Sequence, residues 1–216
     1  MRETRRAGQR FHTVGDGVET WHSFSYGAHY DPEQIRFGAV MAVNTEHVAP
    51  GRGYDHHDHA DVEIVTWVLQ GALRHEDSTG HGGIVRPGTA QRLSAGTGVQ
   101  HSERNASDTE PLVFVQMMLV SDRDGAPEYV QVDVPDGEGL VPAVEVHADA
   151  ELGVARIGAG GSVVIPEAER VLVIVTRGVI EVDGERLGVG DELRTAGERL
   201  EISADGSAEA LVWRMG

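Results

Sequence analysis

The pattern of the whole chain is visible in one stretch, Ile64-Val-Thr-Trp-Val-Leu-Gln-Gly71-Ala-Leu-Arg-His-Glu-Asp77. A short run rich in Val and Ile is followed by a glycine and then by a second short segment. β-Branched and aromatic residues bounded by Gly, Pro, Asp and Asn are typical of strands joined by tight turns. Similar short segments recur along the chain, and none carries a sustained 3.6-residue apolar period. The sequence therefore predicts a nearly all-β fold.

The same phrase returns in the second half as Val171-Leu-Val-Ile-Val-Thr-Arg-Gly178-Val-Ile-Glu-Val-Asp-Gly184. Each copy is followed by a similar glycine-containing segment, at residues 87–96 and 189–197. Two copies of one β unit predict two jelly-roll β-barrel domains in tandem. The acidic stretch at residues 133–139 contains Gly and Pro and is the expected linker. We predict an N-terminal domain over residues 1–134 and a shorter C-terminal domain over residues 141–216.

Composition excludes several kinds of chemistry. The 216 residues carry a formal net charge of −17 and no Cys, and all 18 basic residues are Arg. Disulfides, thiolate metal sites, thiol nucleophiles and lysine Schiff bases are therefore excluded. Nucleic acid is not an expected partner, because phosphate contacts need clustered cations. The first residues lack an apolar signal segment and no run is long enough for a membrane span, so we expect a cytoplasmic protein.

Histidine is concentrated in the first half of the chain. Ten of the eleven His lie at or before residue 101. When the two repeats are aligned on their glycines, Val164 and Pro166 fall at the positions of His57 and His59. Neither residue binds metal ions. A metal-binding site is therefore expected in the first domain. The second domain, without metal ligands, is expected to act as a scaffold or a lid.

Two His-containing motifs share the spacing of a strand face. On a strand, His57 and His59 point to one side and His56 to the other, and His101 and Glu103 repeat this spacing. If the two strands face each other, three imidazoles and one carboxylate converge. That donor set suits a divalent ion such as Fe(II), Mn, Ni, Cu or Zn. The alternative is that the clustered His are surface residues of an acidic loop. The second motif, His101 and Glu103, has the matching spacing and also follows a glycine turn, so it favours a metal site.

The first half resembles the pirin family, whose members are bicupins with two tandem cupin domains. Its version of the first cupin motif consists of Gly51, His57-x-His59, Glu63 and Gly71, in that order. Further segments resemble the pirin form, at residues 21–25, 75–80 and 93–103. The resemblance is dense over residues 20–105, whereas beyond about residue 130 it is one of architecture only.

The resemblance implies a set of metal ligands. In pirins the metal, usually described as iron, is held by the equivalents of His57, His59, His101 and Glu103. We therefore expect Fe(II), with Zn, Cu, Ni and Mn as alternatives. In many other cupins the glutamate of the first motif is a ligand, and here that residue is Glu63. The spacing alone does not choose between the two glutamates, and the likeness to pirins favours Glu103.

The resemblance also implies a function. Pirins are associated with quercetin 2,3-dioxygenase activity, in which a planar flavonol reacts with O₂ and CO is released. In that reaction Glu103 would act as the general base for the flavonol hydroxyl. One alternative is a non-enzymatic, redox-responsive iron protein that regulates protein partners. Another is a cupin that acts on a different small molecule, because one fold hosts many reactions.

The remaining His receive ordinary interpretations. His56 is expected to face away from the site, and His22 to be structural. His75 and His81 lie in the hairpin after the first repeat glycine and are expected to have no special role.

Overall fold

The computed structural model describes residues 2–216 and consists almost entirely of β-strands. Within this range the helical structure is confined to a short 3-10 turn at Ala7–Gln9. No helix of the described residues has the length and apolar character that a membrane crossing requires. The predicted all-β fold is confirmed.

Residues 2–216 form 21 strands. The strands up to residue 120 are β1 (Arg2–Arg5), β2 (Phe11–Val14), β3 (Val18–His22), β4 (Val40–Val48), β5 (Gly53–His59), β6 (Val62–Gln70), β7 (Leu73–Asp77), β8 (Gly82–Val85), β9 (Thr89–Ser94), β10 (Val99–Asn105) and β11 (Leu112–Val120). The later strands are β12 (Glu128–Asp133), β13 (Gly139–Pro142), β14 (Ala150–Ile157), β15 (Ser162–Ile165), β16 (Arg170–Arg177), β17 (Val179–Val182), β18 (Glu185–Gly188), β19 (Glu192–Thr195), β20 (Leu200–Ser203) and β21 (Ala208–Met215).

The chain divides into two compact units. The first unit comprises residues 11–133 and 146–148, and the second comprises residues 2–10, 134–145 and 149–216. This division differs from the predicted boundaries mainly at residues 2–10. Those residues go with the second unit because β1 pairs antiparallel with β19, with Arg2 opposite Thr195 and Arg5 opposite Glu192. A pairing between the two ends of the chain leaves no local signal in the sequence.

The first unit contains two sheets. A seven-stranded sheet has the order β12-β9-β6-β11-β4-β3-β2, and a four-stranded sheet has the order β5-β10-β7-β8. One apolar cluster includes Val68, Leu73 and Phe114, and a second includes Ile64 and Leu93. The four-stranded sheet carries both predicted metal-binding motifs, on β5 and β10.

The second unit repeats this strand arrangement. Its sheets have the orders β1-β19-β16-β21-β14-β13 and β15-β20-β17-β18. β16 pairs with β19 and β21, just as β6 pairs with β9 and β11. β20 pairs with β15 and β17, just as β10 pairs with β5 and β7. The predicted pair of cupin domains is confirmed.

The repeat glycines occupy equivalent turns in the two units. Gly71 has φ +81° and Gly178 has φ +71°, a region that L-residues with a side chain rarely adopt. A Cβ on Gly71 would lie 2.5 Å from the carbonyl oxygen of Pro111. A Cβ on Gly178 would lie 2.4 Å from the carbonyl oxygen of Ser207. Both the backbone angle and the close approach of a neighbouring strand therefore require glycine.

The sequence alignment of the two repeats on Gly71 and Gly178 is wrong by one residue at β15. Val163 and Ile165 are buried in the apolar core of the second unit, whereas Val164 is 40 % exposed and Pro166 lies beyond the strand. The connection from β15 to β16 is longer than that from β5 to β6, so an ungapped alignment slips. A slip of one residue moves a strand's side chains to the opposite face.

Candidate metal centre

Strands β5 and β10 are neighbours in the four-stranded sheet and bring three imidazoles together. In their antiparallel register His57 lies opposite His101, and His59 lies opposite Val99. The ring centroid of His101 is 4.4 Å from that of His57 and 5.0 Å from that of His59. The potential ligand atoms of the three His all lie within 4.8 Å of one another. This spacing is short enough for one ion to contact all three rings.

Glu103 lies on the same strand, after an irregularity in the pairing. The register between β10 and β5 shifts between His101 and Glu103, so that Glu103 opposes Tyr54. Such a shift is a β-bulge, which re-aims the side chains beside it. Glu103 is buried, and its carboxylate forms a second group with His75 and His101, again within 4.8 Å. The structure thus places Glu103 beside His101.

The carboxylate of Glu103 is held by one amide. Nε2 of Gln116 donates to both oxygens of Glu103, at 2.9 and 2.8 Å. Burial and, to a smaller extent, the charge of Glu46 raise the pKa of Glu103 to about 7, although the Gln116 hydrogen bonds oppose the shift. A buried carboxylate without a cation is therefore only partly ionised at neutral pH. A bound metal ion would favour its ionised form.

The ring nitrogens of the three His fit a metal ion. Nδ1 of His57 donates to the backbone carbonyl of Asp55 at 2.8 Å, which leaves the lone pair on its Nε2. Nε2 of His59 and Nε2 of His101 are buried and have no hydrogen-bond partner. Buried polar atoms without partners are rare and costly. A metal ion bound by the three rings would satisfy these atoms.

The protonation states of His59 and His101 fit the same role. Burial, together with the neighbouring His57, lowers the pKa of His59 to about 4 and that of His101 to about 2. His59 and His101 are therefore neutral at physiological pH. Neutral imidazole is the form that coordinates metals.

Glu63, the alternative ligand, lies in a different network. It is fully buried on β6 of the seven-stranded sheet. Its carboxylate accepts hydrogen bonds from Ser94 Oγ at 2.8 Å, Ser121 Oγ at 2.9 Å and the backbone N–H of His147 at 3.2 Å. Glu63 belongs to neither group of potential metal ligands among residues 2–216. Its position fits a structural role.

His75 has a place in the site that the sequence reasoning missed. It is completely buried, its Nδ1 lies 3.5 Å from Nδ1 of His101, and its Nε2 lies 3.3 Å from Asp77 Oδ2. Burial lowers the pKa of His75, so its ring is neutral. The signal was strand alternation: Leu73, His75 and Asp77 share one face of β7, and Leu73 is a core residue.

A second overlooked group is a buried carboxylate on β4. Glu46 accepts hydrogen bonds from Thr20 Oγ1 at 2.5 Å and from the hydroxyl of Tyr54 at 2.8 Å. Burial raises the pKa of Glu46 to about 7, against the effect of these two donors. The ring of Tyr54 lies edge-on to that of His57, with the ring centroids 6.0 Å apart. The available signal was strand alternation, because Glu46 lies on the same face of β4 as the buried Ala42 and Val48.

The other His lie outside both ligand groups. His56 is exposed, as predicted. His22 is buried, and its ring nitrogens contact Asn44 and Thr13. His81 contacts Thr79.

Comparison with known proteins places this site in a family. The family model described as Pirin matches residues 2–119, which include all four predicted ligands. The chain belongs to the pirin family. It is 40 % identical to a Mycobacterium tuberculosis protein named "Putative quercetin 2,3-dioxygenase", over 99 % of this chain and 94 % of that protein. It is 35 % identical to quercetin 2,3-dioxygenase of Escherichia coli K12, over 97 % of this chain and 96 % of that enzyme.

Solved pirin structures are similar over the whole chain. The crystal structure of YhhW from Escherichia coli has a TM-score of 0.95 at 31 % identity, covering 100 % of this chain and 98 % of that one. The same bacterial pirin in complex with nickel(II) has a TM-score of 0.93 at 32 % identity, covering 100 % and 99 %. The likeness extends over both cupin units.

Proposed function

We propose that this pirin-family chain is a metal-dependent dioxygenase that cleaves a flavonol of the quercetin type with O₂ and releases CO. The observation that carries the proposal is the pair of buried, partnerless Nε2 atoms on His59 and His101, grouped with His57. The names of the relatives in Escherichia coli and Mycobacterium tuberculosis support the reaction class.

The proposed ligands are His57, His59, His101 and Glu103, and the proposed ion is Fe(II). Three neutral nitrogen donors and one carboxylate leave open positions on an octahedral ion. Zn, Cu, Ni and Mn accept the same donors, and the nickel(II) complex of the Escherichia coli relative supports a divalent ion of this series. When bound, the metal supplies a Lewis acid that lowers the pKa of a flavonol hydroxyl and, as iron, a centre that reacts with O₂.

Glu103 is the proposed general base. With a metal ion bound, the carboxylate would be ionised and could accept the proton of the 3-hydroxyl of the flavonol. Gln116 donates to both of its oxygens and so keeps the carboxylate in one orientation while its charge changes.

Metal content and oxygen uptake test the proposal together. Protein purified without added metal should contain about one metal ion per chain by elemental analysis, and should consume O₂ when quercetin is added. His101→Ala should lose both properties, because it removes a buried nitrogen ligand that lies close to both other rings. His56→Ala is the matched control, because His56 is exposed on the same strand as His57 and His59.

Two results would contradict the proposal. Quercetin turnover by a metal-free His101→Ala protein would exclude the metal from the reaction. A wild-type protein that binds the metal but takes up no O₂ with quercetin would exclude this substrate.

A further inference from the structure

A buried chain of side chains leads from His101 to strand β7. Nδ1 of His101 lies 3.5 Å from Nδ1 of His75, and Nε2 of His75 lies 3.3 Å from Oδ2 of Asp77. The side chains of His75 and Asp77 are fully buried, and His101 is fully buried too. Water therefore does not compete for these contacts.

Strand pairing and ring stacking hold the chain in place. β7 and β10 are paired so that His101 lies opposite Asp77 and Glu103 lies opposite His75. The ring of Tyr129 stacks on His75 at a centroid distance of 4.6 Å and an interplanar angle of 18°. The His75 ring is thus fixed between a neighbouring strand and an aromatic face.

The chain has only one consistent direction for its protons. A carboxylate only accepts hydrogen bonds, so Nε2 of His75 must donate to Asp77. A neutral His75 that is protonated on Nε2 has a bare Nδ1, which accepts from Nδ1–H of His101. His101 is then unprotonated on Nε2. This is the atom that is buried without a hydrogen-bond partner.

We infer that His75 and Asp77 are positioning residues, which fix the tautomer of His101 so that its Nε2 is free to coordinate the metal. The inference rests on the metal site proposed above. Partners of this kind orient metal-binding imidazoles and raise their basicity. His57 has the same tautomer, because its Nδ1–H donates to the carbonyl of Asp55. Two of the three proposed imidazole ligands thus have a defined hydrogen-bond acceptor for their Nδ1–H.

The hydrogen bonds of Asp77 Oδ1 determine how the amide of an Asp77→Asn variant would be oriented. Oδ1 accepts hydrogen bonds from the backbone N–H groups of Thr79 at 2.9 Å and His81 at 3.2 Å, and from Thr79 Oγ1 at 2.6 Å. In Asp77→Asn the amide oxygen must occupy this position, because the two backbone donors cannot be reversed. The amide nitrogen then faces His75 and donates to it. The chain reverses, and a proton is placed on Nε2 of His101.

Two measurements on Asp77→Asn test the inference. Long-range ¹H–¹⁵N spectra of the metal-free protein report which ring nitrogen is protonated, and His101 is assigned from the signal missing in His101→Ala. We expect the Nδ1–H tautomer in wild type and the Nε2–H tautomer in Asp77→Asn. Titration with Ni(II) against a competing chelator should show affinity lower by about 10- to 100-fold in the variant. Thr79→Ala is the control, because it loosens the same turn without reversing the chain.

A second pair of variants covers the case in which Asp77→Asn does not fold. His75→Gln keeps an acceptor for His101 and a donor for Asp77, and should retain most of the Ni(II) affinity. His75→Phe keeps the stacking on Tyr129 but offers no acceptor, and should lose affinity.

Three results would overturn the inference: an Nε2–H tautomer in wild type, an unchanged tautomer in Asp77→Asn, or an equal loss of affinity in Thr79→Ala. If wild type binds no Ni(II), the proposed metal site fails, whereas the tautomers of the metal-free protein still test the chain.

Discussion

The two cupin units share a strand arrangement but differ in what fills the interior. In the first unit, β5 and β10 carry His57, His59, His101 and Glu103. In the second unit the equivalent strands β15 and β20 contribute Val163, Ile165, Leu200 and Ile202 to an apolar cluster. The same backbone ladders therefore support a polar site in one copy and an ordinary core in the other. Hydrogen bonding between strands positions these side chains without specifying their chemistry.

The difference has an energetic consequence. Apolar side chains in the second unit stabilise it by burial, at about 25 cal/mol per Å² of apolar surface. The first unit buries two carboxylates with raised pKa values and two ring nitrogens without partners. These groups lower the stability of the metal-free first unit, and a bound ion would offset part of that cost. We therefore expect the two units to respond differently to mutation, pH and metal.

The largest expected effect comes from opening a cavity in the second unit. Ile202→Ala removes a fully buried side chain from its core and should lower the free energy of unfolding by about 2–5 kcal/mol. Metal content should stay at the wild-type level, because the proposed ligands lie in the first unit. Urea unfolding and elemental analysis of one preparation measure both. Loss of metal in a folded variant would contradict the expectation that metal content is independent of the second unit.

A smaller effect concerns pH and the first unit. The pKa of Glu46 is raised from 4.5 to about 7, so the folded state holds this proton more tightly than the unfolded state. The stability that this group contributes is present below about pH 4.5 and is lost as the pH rises through 7. Glu46→Gln keeps an acceptor for Thr20 and Tyr54 without the charge.

In metal-free protein, the loss of unfolding free energy between pH 5 and pH 8 should be smaller in Glu46→Gln than in wild type by roughly 2–3 kcal/mol. Urea unfolding at the two pH values measures the difference. Equal losses in the two proteins would show that Glu46 does not titrate in this range.

The smallest expected effect tests what the two units share. Gly71→Ala and Gly178→Ala should each cost about 1–3 kcal/mol, because both place a Cβ at positive φ against a backbone oxygen. The controls are Gly80→Ala and Gly184→Ala, which have φ +87° and +82° but nothing within 4 Å of the added Cβ. Thermal unfolding should show a larger cost at the repeat glycines than at the controls, and similar costs in the two units. Unequal costs would mean that the two turns are not equivalent.

Much of the fold and of the candidate site was predictable from local patterns. The all-β class followed from short Val- and Ile-rich segments, and the repeat followed from the turns at Gly71 and Gly178. The grouping of His57, His59 and His101 followed from strand alternation and one assumed pairing. These features are readable because strand periodicity and positive-φ turns depend on neighbouring residues only.

Other features depend on pairings between distant parts of the chain. The place of β1 in the second unit, the bulge at Glu103 and the inward face of β15 are set by register with other strands. The position of His75 beside His101 depends on the pairing of β7 with β10.

The sequence by itself determined the repeat, the fold class and the half of the chain that holds the proposed metal-binding side chains, because these depend on composition and short-range spacing. The tertiary structure decided which groups surround those side chains. It placed Glu63 in a separate hydrogen-bond network. It also brought the Gln116 amide to the carboxylate of Glu103, and the His75–Asp77 pair to Nδ1 of His101. Burial and hydrogen-bond partners are properties of the folded chain, and they set the charge and the tautomer of each group.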